Sequence, residues 1–167
     1  GTAGPQGATG PAGPVEATYA DSGTPYALNT NGTFSNVFTV VNTGGAPLQV
    51  PAGQQVHVQA QVTVKRLSAT AGTGTARVSC GATVGPVGGT LTGIGNYAYT
   101  IIPPWSGGAG TPTTYDQVAV IAGGTVNQTG SYDVGIDCAQ AFNDPQVYVD
   151  SRSEDHTSEL QSHLNLV

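Results

Sequence analysis

Over residues 56–65 the chain alternates without a miss. Val56, Val58, Ala60, Val62 and Val64 are apolar, and His57, Gln59, Gln61, Thr63 and Lys65 between them are polar. Successive side chains of a strand point to opposite faces, so this segment reads as a strand with one face buried and the other in water. The same two-residue period recurs at Ala76, Val78 and Cys80 and at Tyr132, Val134, Ile136 and Cys138. Further strands are predicted at residues 33–41, 96–102, 118–121 and 147–149, where β-branched and aromatic residues concentrate.

The predicted strands are separated by turn-rich clusters at residues 42–47, 51–54, 70–75, 85–89, 103–112 and 122–124. Gly and Pro together make up 36 of 167 residues, 25 plus 11, about twice the usual share. No segment between residues 16 and 151 carries a helical period. Short strands punctuated by Gly/Pro turns predict an all-β fold, an antiparallel β-sandwich of jelly-roll type.

The ends differ from this middle. Glycine occupies positions 1, 4, 7, 10 and 13, giving five consecutive triplets, and Pro5, Pro11 and Pro14 each follow a glycine directly. Only glycine fits at the axis of three wound polyproline-like chains, so residues 1–15 read as the end of a collagen-like stalk. Five triplets are too few to hold a triple helix alone, which implies more of them upstream. The chain starts on Gly and contains no Met, as expected for an internal fragment or a processed chain. Residues 152–163, RSEDHTSELQSH, resemble the peptide obtained by translating a sequencing adapter, RSEEHTSELQSH, and depart from it only at Asp155. Residues 152–167 are therefore set apart as a non-native tail. Without them the formal charge moves from −6 to −4, with seven acids against three bases. The division expected is stalk end 1–15, head 16–151 and tail 152–167.

A collagen-like run ending in a strand-rich domain resembles bacterial collagen-like surface proteins. It is similar, more loosely, to the jelly-roll heads of complement-like and tumour-necrosis-factor-like trimers. The resemblance rests on residues 1–15 and implies three heads packed about one axis, setting the register of the stalk. It transfers no binding residue to the head.

Only 8% of residues are charged, and four Lys and Arg are too few to track a phosphate backbone, which excludes most nucleic-acid binders. No stretch is long and apolar enough for a membrane helix. The two cysteines, Cys80 and Cys138, each end a predicted strand on its apolar face. An even count in a Gly-rich, surface-type chain predicts that they form a disulfide, within about 4.4–6.8 Å between Cα atoms.

The chemistry-bearing residues are sparse. His57 is the only histidine before the tail and lies on the wet side of its strand, where a solvated role is the simpler reading. Asp133 and Asp137 share a strand face at a separation of about 13 Å, too far for acid–base work as a pair. Asp116, Asp144 and Asp150 would have to join them to hold a hard cation, and no calcium-loop motif is present. Trp105, in a Gly/Pro-rich loop, and the nearby Tyr115 are candidates to stack on a sugar, and a Trp folded back to cover the end of the sandwich is the simpler reading. The Gly-rich runs at 85–89 and 107–110 lack the Lys and the following helix of a phosphate loop. Asn31 and Asn127 open glycosylation-type triplets. These features predict no enzyme, no cofactor and no metal. The collagen-like run and the resemblance it carries imply an extracellular or cell-surface structural or adhesive protein, homotrimeric through stalk and head, with a carbohydrate or host-surface ligand as the partner class. The alternative is a phage tail-fibre segment with a receptor-binding head. A terminal strand from Gln146 interrupted by the tail would leave an unpaired sheet edge beside residues 146–151.

Overall fold

The computed structural model describes residues 26–39, 46–66, 74–104, 114–141 and 146–150. The stalk end, the tail and Trp105 lie outside them. The described chain forms nine strands: β1 (Tyr26–Ala27), β2 (Ser35–Thr39), β3 (Leu48–Val50), β4 (Gln55–Arg66), β5 (Ala76–Pro86), β6 (Thr92–Ile102), β7 (Thr114–Thr125), β8 (Gly130–Gln140) and β9 (Tyr148–Asp150). They build two antiparallel sheets, β1-β9-β4-β7 and β2-β8-β5-β6, with β3 also on β8. The fold is a β-sandwich. Its strand order, in which all successive strands but β2–β3 and β5–β6 lie in different sheets, is that of a jelly roll.

The alternation of β4 decides which way that strand faces. Val56, Val58, Ala60, Val62 and Val64 are all at most 3% exposed, and they meet Val78, Ala82, Ile136 and Val134 of the opposite sheet in one core. The core is made mostly of Val and Ala, which suits two sheets about 10 Å apart. β2 and β3 lie end to end along β8, β2 beside residues 135–138 and β3 beside residues 130–132. They follow one another along the same side of β8. Leu48 and Val50 bury their side chains completely while Gln49 points outward.

Strand β7 exceeds its predicted limits because glycines that read as turn residues lie within it. Residues 122–124 read as a turn cluster, yet β7 runs through them to Thr125. Gly123 lies opposite His57 in the ladder, and a side chain there would meet the His57 ring at 3.2 Å. A Cβ at Gly124 would sit 2.7 Å from Ile94 Cγ2. These glycines serve close approach, not chain reversal. Gly124 lets β6 and β7, the edge strands of the two sheets, close one side of the sandwich. Gly95 helps from β6: its φ of 67° suits glycine, and a Cβ there would press on Ala122 at 3.0 Å.

The expected disulfide is present and bridges Cys80 of β5 to Cys138 of β8. The two residues are directly opposite in register. Ala141 N donates to Arg77 O at 2.9 Å, so pairing parity makes Cys80–Cys138 a non-hydrogen-bonded pair, the kind with the closer Cα atoms. Their Cα separation is 4.1 Å, slightly under the range expected from sequence for that reason. Both cysteines are fully buried.

Arg66 ends β4 inside the protein, fully buried. Its Nη1 donates to Gly74 O at 2.6 Å and to Pro103 O at 3.2 Å. One cation thereby ties the start of β5 to the end of β6.

The expected unpaired edge beside residues 146–151 needs correction. β9 has a partner on each side, β1 and β4. Leu28 N donates to Val147 O, so Val147 and Val149 turn their backbone groups to β1, while Tyr148 and Asp150 turn theirs to β4. The ladder ends at Thr63–Asp150. Beyond it, on the side away from β7, residues 55–62 of β4 have no strand partner among the described residues. Among the described residues the open edge is that of β4.

Candidate functional site

The outer faces of the two sheets differ in charge and in shape. On the β1-β9-β4-β7 sheet, residues 55–63 and 117–123 direct Gln55, His57, Gln59, Gln61 and Thr63 of β4 and Gln117, Ala119 and Ile121 of β7 away from the core. None of these is Asp, Glu, Lys or Arg. Gln61 donates to Gln117 across the ladder. Ile121 stands among them at 76% exposure.

The outer face of the other sheet is aromatic. On β6, Tyr97, Tyr99 and Ile101 alternate with Ala98, Thr100 and Ile102. The smaller set packs inward, where Ile102 is fully buried, and Tyr99 is left 69% exposed. The pairing of β5 with β6 shifts between Cys80 and Ala82. At that irregularity the Tyr97 ring lies over Gly81, whose missing side chain makes the space. Phe34, just before β2, packs against Tyr97 with ring centroids 4.4 Å apart and planes tilted by 32°.

The turn that delivers Phe34 is held by its own sequence. Asn31 Oδ1 accepts from Thr33 N at 3.0 Å, an Asx turn. Gly32 takes the left-handed φ of 77° that follows it. Asn29 Nδ2 donates to Ser35 Oγ at 2.7 Å and closes the loop. Between this turn and β6 lies an open cleft of about 470 Å³ lined by Gly32, Phe34, Arg77, Ser79, Tyr99 and Ile101 among others. Arg77 faces Ile101 and Ser79 faces Tyr99 in the ladder. Arg77 is exposed, whereas Lys65 and Arg66 are buried. Arg77 is thus the one exposed Lys or Arg among the described residues.

The residues singled out from sequence fall in several places. Tyr115 is 54% exposed on β7, opposite Lys65, in the sheet across the sandwich from the aromatic cleft. Its proposed partner Trp105 lies outside the described residues. Asp133 and Asp137 both sit on β8. Asp137 Oδ1 accepts from Asn36 Nδ2 at 2.9 Å, and Asp133 Oδ1 from Val134 N at 2.9 Å. Asp116 is on β7 in the other sheet, where it accepts from Thr100 Oγ1 and from Gln117 N. Asp144 lies outside the described residues. Among the described residues no three His, Cys, Asp or Glu side chains gather where they could hold a metal ion, and no helix is long and apolar enough to cross a membrane.

Sequence reasoning passed over Phe34, Arg77, Tyr97, Tyr99 and Ile101. The signal was the size contrast along residues 96–102, where the bulkier alternate set had to face either the core or water. No known protein family matches the chain, and comparison with characterised proteins finds no match.

Proposed function

We propose that the chain is the head, with the adjoining end of the stalk, of an extracellular collagen-like protein of structural or adhesive role, whose heads trimerise and register the stalk. The observation that carries this reading is the run of five Gly-X-Y triplets leading into a jelly-roll sandwich, since three chains are required wherever collagen forms. Two features support it. A disulfide fits an oxidising compartment. The uncharged outer face around Ile121 can be buried against another head without desolvating an ion pair. A phage tail-fibre head is the second reading, favoured by the exposed aromatic cleft, and it assembles in the same way.

The test is sedimentation equilibrium on the full chain. The expected mass is three times the 16.7 kDa of one chain. Ile121→Glu should shift the population toward monomer while the far-ultraviolet circular dichroism stays that of a β protein. A wild-type chain that remains monomeric at several hundred micromolar defeats the register-setting role.

A further inference from the structure

We propose that the cleft between the Asn31–Gly32 turn and β6 binds a saccharide bearing a carboxylate, with Arg77 taking the carboxylate and Tyr99 the ring face. The site lies within one chain. It gives the adhesive reading a ligand and rests on that reading for its biological sense alone.

Three observations lead there. The first is charge. The chain carries −6 overall, yet its one exposed Lys or Arg among the described residues projects into this cleft. None of the described residues lining the cleft is acidic. Among the described acidic residues of that sheet Asp137 is nearest along the ladder, opposite Gly81, four residues from Arg77 and so about 13 Å away. A guanidinium offers five N–H donors in a planar fork and pairs with a carboxylate through two of them at once. It retains donors for a ligand while bonded within the protein.

The second is shape. Tyr99 and Ile101 form an apolar floor beside Arg77, and Phe34, braced against Tyr97, forms a wall. The Ser79 hydroxyl, opposite Tyr99 in the ladder, supplies a polar contact within the apolar surface. A sugar ring has an apolar C–H face and a hydroxyl rim, which matches aromatic floor and polar edge together.

The third is what the surface lacks. Strand β5, which carries Arg77 and Ser79, is paired on both sides, to β6 and β8, so an extended peptide finds no free backbone ladder on the strand that holds the guanidinium. Two other clefts of similar size among the described residues lie beside the β5–β6 turn, and no Lys or Arg lines either.

The experiment is titration calorimetry on the full chain with two carboxylated saccharides, tri-galacturonate and sialyllactose. The controls are methyl-esterified tri-galacturonate and a tetra-aspartate peptide. The expected result is saturable binding of at least one carboxylated saccharide that weakens as salt is raised. Arg77→Gln and Tyr99→Ala should each lower the affinity about tenfold or more. For Arg77→Gln the acid and its ester should bind equally. Circular dichroism and the intact disulfide report that each variant is folded.

Failure of both saccharides to bind at millimolar concentration overturns the proposal. So does an Arg77→Gln variant of unchanged affinity, or tetra-aspartate binding as well as the sugars. Sedimentation on the same samples keeps the two readings separate. Binding by a monomer supports the cleft and counts against trimerisation, whereas a trimer that binds neither saccharide does the reverse.

Discussion

Reducing the Cys80–Cys138 bridge should remove a large share of the stability of the head. The cysteines are 58 residues apart in sequence. Cross-linking a loop of that length lowers the entropy of the unfolded chain by about 14 cal/mol/K, which is about 4 kcal/mol at 25 °C. Domains of this size are stable by about 5–15 kcal/mol in all. The folded state has little to lose on reduction, because β5 and β8 are already paired from residue 78 to residue 86 of β5. The effect is therefore assigned to the unfolded chain. Urea unfolding followed by tyrosine fluorescence, with and without a reductant, measures it. With a slope of about 2 kcal/mol/M the midpoint should fall by about 2 M. The slope itself should rise on reduction, because the uncrosslinked chain exposes more surface when it unfolds. Cys80→Ala with Cys138→Ala should match the reduced protein apart from about 1–2 kcal/mol more, since two fully buried sulfurs are lost from the core. A midpoint shift under about 0.5 M would refute the loop-entropy reasoning. A full shift with an unchanged slope would place the effect in the folded state.

Two substitutions test the irregular parts of the fold by the same unfolding assay. Gly81→Ala puts a methyl group into the Tyr97 ring and should cost about 1–3 kcal/mol; adding Tyr97→Ala should recover most of that, and a purely additive double variant would show that the ring is not what fills the space. Gln140 is fully buried, and its Oε1 accepts from Val147 N at 2.8 Å, so Gln140→Leu should orphan that donor and cost about 1–3 kcal/mol. Faster amide exchange in β9 than in β8 would accompany it, and equal protection would refute the tether.

How much could be read in advance depended on whether a residue's role was local. The alternation of β4 settled that strand because its two faces differ in every pair. The cysteines were legible for the same reason: each continued an apolar face. β3 was missed because three residues between Pro47 and Pro51 look like turn, and they are a strand only through their register with β8. Gly123 and Gly124 look like turn for the complementary reason. What makes them strand is the approach of His57 and Ile94, which lie far away in sequence. The aromatic cleft is the hardest case. Tyr97, Tyr99 and Ile101 are the more bulky set on β6, and hydrophobicity alone would put them inside. They face outward because the small Ala98 and the fully buried Ile102 fit the narrow core where the two sheets close together, and Gly81 offers the Tyr97 ring a seat on the other side.

The open edge of β4 bears on assembly more directly than any single exposed side chain. Protein sheets guard such edges with lysines, prolines, bulges or a covering loop. Residues 55–62 have no Lys and no Pro, their ladder with β7 runs without a register shift, and no strand covers their other side among the described residues. The parity of β9 extends to this stretch: Thr63 and Lys65 face β9, so the unpaired backbone groups further along are those of Gln55, His57, Gln59 and Gln61. Their side chains form the uncharged outer face that also presents Ile121. Among the described residues a face without Asp, Glu, Lys or Arg and an unpaired edge therefore meet along one strand. A neighbouring head that packs over Ile121 would shield both at once, whereas one docking on the aromatic cleft would shield neither and would have to bury Arg77. On the proposed reading this divides the head into an assembly side built on β4 and β7 and a ligand side built on β5 and β6, with the sandwich core between them.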